Sequence, residues 1–255
     1  MSDLIEVEKA GTNEMMRSDV MSQIEVARRY PRSLDQFRKK AIALATFSQE
    51  TAAQCFYALK RGGKTIEGPS VRLAEICVGA YGNIRCQASV VEIGDKFLTA
   101  RGIAWDLESN AAASVDVQRR ITGRDGNKYS DDMIAVTSNA ACAIAFRNAA
   151  FKIVPAVMTN TIYEEARKTA VGDSKSMTTR VDHLFKTFSM MGVKEDQVIS
   201  KLGLAGRDDI GVKDLTLMLG VYNAIKDGDT TVEEQFKNGS ARSSMAGAFT
   251  TEPAE

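Results

Sequence analysis

A glycine-containing segment flanked by bases is the part of the chain best suited to phosphate chemistry. It runs Lys60, Arg61, Gly62, Gly63, Lys64 and Thr65. Exposed backbone amides and cationic side chains suit a phosphate group without any metal ion. A nucleotide-binding phosphate loop needs a further glycine where this chain has Ala58, and a strand before the loop where the pattern indicates a helix. The segment therefore predicts contact with backbone phosphates and not a nucleoside triphosphate site.

A second set of cationic side chains surrounds one predicted hairpin and the helix after it. Its members are Arg119, Arg120, Arg124, Lys128, Arg147 and Lys152. Five residues turn a helix by about 500°, so Arg147 and Lys152 point about 140° apart and do not share one groove fully. We expect Arg147 to face the groove, because Ala143 and Ala150 near it leave room for a backbone to approach.

The charge is distributed unevenly along the chain. Its 33 acids balance 33 bases. Residues 1–27 carry six acids and two bases, residues 28–64 carry nine bases and two acids, and residues 195–255 carry 11 acids and six bases. Any one charge run is also what a solvated helix face looks like. A basic block between acidic ends more specifically indicates a polyanion site with acidic segments that compete for it.

Candidate catalytic groups are few. Asp106 with Glu108, and Asp131 with Asp132, offer carboxylates for a metal-dependent nuclease, although acids at strand ends and turns commonly serve as caps. His183 is the one histidine and lies far from any candidate nucleophile. The four cysteines form no CxxC pair, which argues against a zinc site or disulfides and favours a reducing cytosol. The sequence predicts no catalytic residue, metal or cofactor.

The periodicity of apolar residues predicts an α+β fold, an antiparallel β-meander packed on helices. We expect helices at 33–47, 49–60, 69–79 and 138–154, and strands at 84–93, 96–107 and 111–121. Gly94-Asp95 and residues 108–110 are turn signals between the strands, and Asp125-Gly126 marks another hairpin. The alanines of 138–154 should let that helix lie close against the sheet, and Pro155 should end it.

Composition shifts divide the chain into four segments. These are an acidic N-terminal segment (1–27), a core (28–171), a small C-terminal helical bundle (177–236) after a Gly/Ser linker, and a disordered tail (237–255). The N-terminus lacks the apolar stretch of a signal peptide, and no apolar run is long enough for a membrane span. We therefore expect a cytoplasmic protein without membrane partners.

Residues 57–68 (YALKRGGKTIEG), followed by Val71, Ala74 and Tyr81-Gly82-Asn83, resemble a segment of the Rad-fifty-two-like superfamily of strand-annealing proteins. In that family a basic glycine loop leads into Ile-Glu-Gly, a helix and a Gly/Asn turn before the first strand. The resemblance covers roughly residues 57–155. The order of elements over the whole chain is similar to that of phage annealing proteins of the RecT, Redβ and Erf types.

This resemblance implies ATP-independent binding of single-stranded DNA and annealing of complementary strands in homologous recombination, by a ring or helical homo-oligomer. Arg61 and Lys64 match the basic loop positions, and Arg147 and Lys152 the basic helix positions, that hold phosphates in the family. It further implies contact with the annealed duplex. The expected partner of the C-terminal unit is a host single-strand-binding protein or a phage exonuclease. If the chain is phage-encoded, the expected location is the host cytoplasm. A metal-dependent nuclease and a protein-interaction module without DNA binding stay open as alternatives.

Overall fold

The computed structural model describes residues 17–61, 64–123, 125–172 and 177–236. Arg124, the side chain of Arg61, and the predicted disorder of 237–255 lie outside the described part. By their contacts, residues 17–56 join Pro69–Ala170 in a first unit, and Tyr57–Gly68 joins the described residues from Val171 onward in a second. Helices and antiparallel strands are both present, so the predicted α+β class is confirmed.

The five strands and ten α-helices of the described ranges follow one another along the chain. The strands are β1 (Phe56–Arg61), β2 (Lys64–Pro69), β3 (Ile84–Ile93), β4 (Phe97–Asp106) and β5 (Ala111–Arg120). The helices are α1 (17–29), α2 (Leu34–Ala45), α3 (Gln49–Ala53), α4 (Val71–Tyr81), α5 (Asp131–Ile153), α6 (Ala156–Val171), α7 (Met177–Met190), α8 (Glu195–Leu202), α9 (Val212–Lys226) and α10 (Val232–Phe236). Arg207–Asp209 adds one 3-10 turn.

An antiparallel sheet in the order β3-β4-β5, covered on one face by α5, forms one core of the first unit. Ala141, Ala145 and Ala149 of α5 are completely buried. A Cβ placed on Gly102 of β4 would lie 2.1 Å from the carbonyl oxygen of Ala145, so helix and strand backbones are nearly in contact. The expectation that an alanine-rich helix lies close to the sheet is confirmed. The helix begins seven residues earlier than predicted, at Asp131, because the Ser130 side chain caps it.

Helices α2, α4 and α6 enclose a second apolar cluster of the first unit. Phe37 and Tyr81 meet edge to face there, with ring centroids 5.0 Å apart. The α4 helix begins after Ser70, whose hydroxyl accepts from the Leu73 N–H. Because α4 also packs against α5, this cluster adjoins the helix that covers the sheet.

The second unit packs the β1-β2 hairpin with α7, α8, α9 and α10 around Phe188, Leu215 and Met218. The prediction of a helix through residues 49–60 is wrong beyond Ala53, because Phe56–Arg61 is a strand. A Cβ on Gly220 of α9 would lie 2.8 Å from the Ala58 nitrogen, which shows how closely α9 approaches β1. The predicted core of 28–171 therefore differs from the structure, which groups Tyr57–Gly68 with the C-terminal helices.

No helix within the described ranges has the length and apolar character needed to cross a membrane.

Candidate nucleic-acid interface

One end of the three-stranded sheet gathers four cationic side chains, here called the sheet-end cluster: Lys96, Arg119, Arg120 and Lys128. The Ile121 N–H donates to the Lys96 carbonyl at 2.9 Å, which joins the β3-β4 turn to the end of β5. Thr122 and Lys128 form an isolated antiparallel bridge that folds the following segment back onto the same end. The sequence placed Arg119, Arg120 and Lys128 around one hairpin, and the structure places all three at this end of the sheet. Arg119 is opposite the buried Leu98 and so lies on the α5 face, whereas Arg120 lies on the other face.

Two cations of the sheet-end cluster are oriented by uncharged partners. Lys128 Nζ donates to the Gly94 carbonyl at 3.3 Å, and Arg120 Nη1 donates to the Thr122 hydroxyl at 3.3 Å. Neutral acceptors fix a side chain without cancelling its charge. Lys96, Arg120 and Lys128 are exposed and Arg119 is half-buried. The cluster can therefore present positive charge to an anion from outside the protein.

An aromatic ring lies within this cluster. Phe97 is directly opposite Arg120 in the β4-β5 register, and the guanidinium carbon is 5.0 Å from the ring centroid. Phe97 is 42% exposed, so one part of the ring faces solvent. Phosphate-binding cations beside an exposed ring are the combination used by proteins that bind single-stranded nucleic acid.

Acidic side chains lie in the neighbouring turns. Asp95 is exposed in the β3-β4 turn, beside Lys96. Hydrogen bonds from the side chain and backbone of Asn127 hold the pKa of Asp125 below its usual value. Asp125 is thus ionised and tied into its own turn. These two acids limit the net charge of this end of the sheet.

The basic glycine segment lies in the second unit and is held there by Gln235. The Lys60 N–H donates to Gln235 Oε1 at 3.0 Å, and Lys201 Nζ donates to the Gln235 carbonyl at 3.0 Å. Burial, together with the nearby charge of Lys60, lowers the pKa of Lys201 to about 8. Lys60 and Lys64 are exposed, so this hairpin carries positive charge of its own. Sequence reasoning missed Lys201, which lies far from the hairpin along the chain.

The two cations predicted on α5 differ in exposure. Lys152 is exposed in the last turn of the helix. Arg147 is only 9% exposed, because α5 packs against α4 as well as against the sheet. Its Nε donates to the Asn148 side chain at 3.4 Å. The expectation that Arg147 offers its guanidinium in an open groove is therefore not met in the folded subunit.

The acids considered for a nuclease site have other partners. Asp106 and Glu108 both accept from Arg32, whose Nε is 3.0 Å from Glu108 Oε1, and the guanidinium lies 3.8 Å from the Tyr81 ring centroid. Burial raises the pKa of Asp106, but hydrogen bonds from Arg32 and Ser109 outweigh it and keep the pKa low.

Asp131 and Asp132 occupy the first turn of α5, where acids stabilise a helix N-terminus. Within the described ranges, no three metal-binding side chains come together. The buried position of Arg32 also removes one base of the 28–64 block from the surface.

Sequence reasoning did not identify Lys96 and Phe97 as candidate site residues. The signal available was the turn at Gly94-Asp95, which requires the next two residues to lie at the same end of the sheet as the end of β5. Using this turn signal would also have required the register of the strand pairing, because a one-residue shift turns Phe97 to the other face of the sheet.

No protein-family model, curated protein or solved structure was found to match the chain. The family expected from residues 57–83 therefore stays a prediction. Function is inferred from the geometry of the described residues.

Proposed function

We propose that this chain binds single-stranded DNA through the sheet-end cluster and anneals complementary strands without ATP. The observation that carries the proposal is that Lys96, Arg120 and Lys128 lie exposed at one end of the sheet, with Arg120 beside the exposed ring of Phe97. Annealing breaks no covalent bond. It requires that the phosphates of two strands be neutralised while their bases stay able to pair.

The proposal includes assembly into a ring or helical homo-oligomer. Within the described residues, neither β3 nor β5 pairs with a further strand on the side away from β4. The sheet therefore has two unpaired edge strands of ten residues each. Unpaired edge strands offer backbone donors and acceptors to another chain. Light scattering should give a mass several times that of one subunit, and a monomer both alone and with DNA would contradict this part of the proposal.

The second unit is proposed to hold further partners, a host single-strand-binding protein or a phage exonuclease. Its hairpin cations Lys60 and Lys64 are also proposed to contact DNA, with Arg61 and Lys152 as further candidates. Removing the C-terminal helices would expose Ala58 of the hairpin, which is buried against them. Point substitutions are therefore a better test than truncation.

The salt dependence of binding tests the DNA proposal. For a single strand, each neutralised phosphate contributes about −0.7 to the slope of log K against log salt. The three exposed cluster cations, Lys96, Arg120 and Lys128, therefore predict a slope of about −2 for a labelled oligothymidine measured by fluorescence anisotropy. Lys128→Gln should reduce the magnitude of the slope by about 0.7.

Lys168→Gln is the matched control, because it removes the same charge from an exposed lysine that is paired with Glu165 on α6. Its slope should equal that of the parent. Binding that is the same at low and high salt, or equal slopes for all three proteins, would contradict the proposal. The same strands incubated with magnesium should keep their length, whereas shortened strands would favour the nuclease.

A further inference from the structure

The face of the sheet turned away from α5 carries a row of side chains along the central strand. Alternation along β4 places Phe97, Thr99, Arg101, Ile103 and Trp105 on this outer face, and the buried Leu98, Ala100 and Ala104 on the other. Phe97 is 42% and Ile103 37% exposed, and Trp105 is partly exposed. At about 3.4 Å per residue, the row is about 27 Å long.

Each aromatic ring of this row has an arginine directly opposite it on a neighbouring strand. Arg120 of β5 is opposite Phe97, and Arg85 of β3 is opposite Trp105. Directly opposite residues have Cβ atoms about 5 Å apart. The Trp105 indole N–H donates to the Asn110 side chain at 3.0 Å, and Arg85 Nη1 donates to the Gln23 side chain at 3.1 Å. Both partners are uncharged, so Arg85 keeps its positive charge.

The middle of the face is close to neutral. Arg101 forms a two-bonded ion pair with Asp116 of β5, at 2.7 and 2.8 Å. Hydrogen bonding from Arg101 lowers the pKa of Asp116, so the pair stays ionised. Glu92 of β3 lies opposite Thr99 and is the other acid that β3, β4 and β5 place on this face. Positive charge not paired with an acid thus stands at the two ends of the row, beside the two rings.

Cross-strand pairing alone would explain aromatic side chains on a sheet. It does not explain two rings that keep exposed surface, each beside an arginine, on the face that continues into the sheet-end cluster. Unpaired bases stack on such rings, and arginines beside them meet the phosphates. A duplex keeps its bases stacked inside the helix, where they cannot stack on these two rings.

We infer that the outer face of β3, β4 and β5 is a stacking platform for the unpaired bases of the strand whose phosphates meet the sheet-end cluster. The inference rests on the proposed function and adds that the site binds the bases of the strand as well as its charged phosphates. The occupant is a single-stranded nucleic acid, because the face combines rings with unneutralised arginines. Bases held only by stacking can leave the platform when a complementary strand arrives.

Two strands of equal charge test the platform. One is an oligothymidine of about 16 nucleotides, and the other is an abasic strand of the same length, with the same phosphates and no bases. The parent protein should bind the oligothymidine about tenfold more tightly than the abasic strand. Phe97→Ala should lose about tenfold in affinity for oligothymidine and little for the abasic strand.

The controls separate the ring from its apolar bulk and from general effects. Phe97→Leu retains an apolar side chain beside Arg120 and should lose base preference as Phe97→Ala does, which keeps the test valid if the alanine variant folds poorly. Met133→Ala removes an apolar side chain that is 48% exposed on α5, which covers the opposite face of the sheet. It should bind both strands as the parent does.

Intrinsic fluorescence gives a second readout, because Trp105 is the one tryptophan of the chain. Oligothymidine should change its emission and the abasic strand should not. Equal affinity for the two strands with unchanged emission would overturn the platform and leave phosphate binding intact. No binding of either strand would overturn the proposed function itself. A parent that assembles while Phe97→Leu stays monomeric would show that a second copy covers this face, which also overturns the platform.

Discussion

Substituting Gly102→Ala tests the packing that supports the candidate interface. The added methyl carbon would lie 2.1 Å from the oxygen and 2.4 Å from the carbon of the Ala145 carbonyl. Ordinary contact begins at 3.4 Å, so α5 would have to move away by about 1.3 Å along that direction. β4 cannot retreat easily, because it is hydrogen-bonded to β3 and β5 on its two sides.

The magnitude follows from what this movement costs. A gap of 0.5–1 Å already forfeits about a quarter to a half of a dispersion contact. The buried alanines Ala141, Ala145 and Ala149 would all lose contact with the sheet. Overpacking usually costs about 1–3 kcal/mol, and a clash with main-chain atoms of α5, which cannot rotate away as a side chain can, belongs at the upper end of this range or above it. We expect a loss of about 3 kcal/mol, which lowers the melting temperature by about 6–12 °C.

The assay is thermal unfolding followed by the emission of Trp105, which lies in the same sheet. Gly79→Ala is the matched control, because Gly79 is exposed in α4 and a Cβ there would meet nothing within 4 Å. In a helix the same substitution should raise stability by about 0.5–1 kcal/mol. A Gly102→Ala variant that melts at the parent temperature would refute the close approach of α5 and β4.

Acid sensitivity and the hairpin contact give two further predictions. Hydrogen bonds from Arg32 to Asp106, and from Asn83 and Arg32 to Glu108, outweigh burial and hold the two pKa values below the usual 3.8 and 4.5. Their stabilisation is therefore present above these values and lost as pH falls through the lowered ones. The free energy of unfolding, measured in urea, should fall as the pH is lowered from about 5 to 3, and Arg32→Met should reduce this dependence. An unchanged slope would contradict it. Gly220→Ala should destabilise the second unit by about 1–3 kcal/mol and speed hydrogen exchange at Ala58, whereas unchanged exchange would argue against the close contact.

Local sequence patterns were sufficient to predict the three-stranded sheet. Alternation in β5, the Gly94-Asp95 turn and the alanines of α5 predicted three antiparallel strands and a close helix, because each of these signals acts between residues near in sequence or on one face. The strand Phe56–Arg61 was not predictable in this way. Its conformation depends on Gly220 and Gln235, more than 150 residues away, and these contacts override the local helical pattern.

The site was predictable only in part, for a related reason. Arg120 and Lys128 flank the Asp125-Gly126 turn, which the sequence predicts, so their proximity follows from the hairpin. Lys96 joins them through strand register, which depends on the whole sheet. The burial of Arg147 depends on how α5 is rotated against its neighbours, and apolar residues all around a helix do not fix that rotation.

The rate at which complementary DNA strands anneal is the most direct test of the central proposal. Two oligonucleotides carrying a donor and an acceptor dye are mixed with the protein, with no ATP or magnesium, and energy transfer is followed in time. The parent should accelerate annealing well above the spontaneous rate, Lys128→Gln less so, and Lys168→Gln as much as the parent. Annealing at the spontaneous rate in the presence of saturating, folded protein would contradict the account.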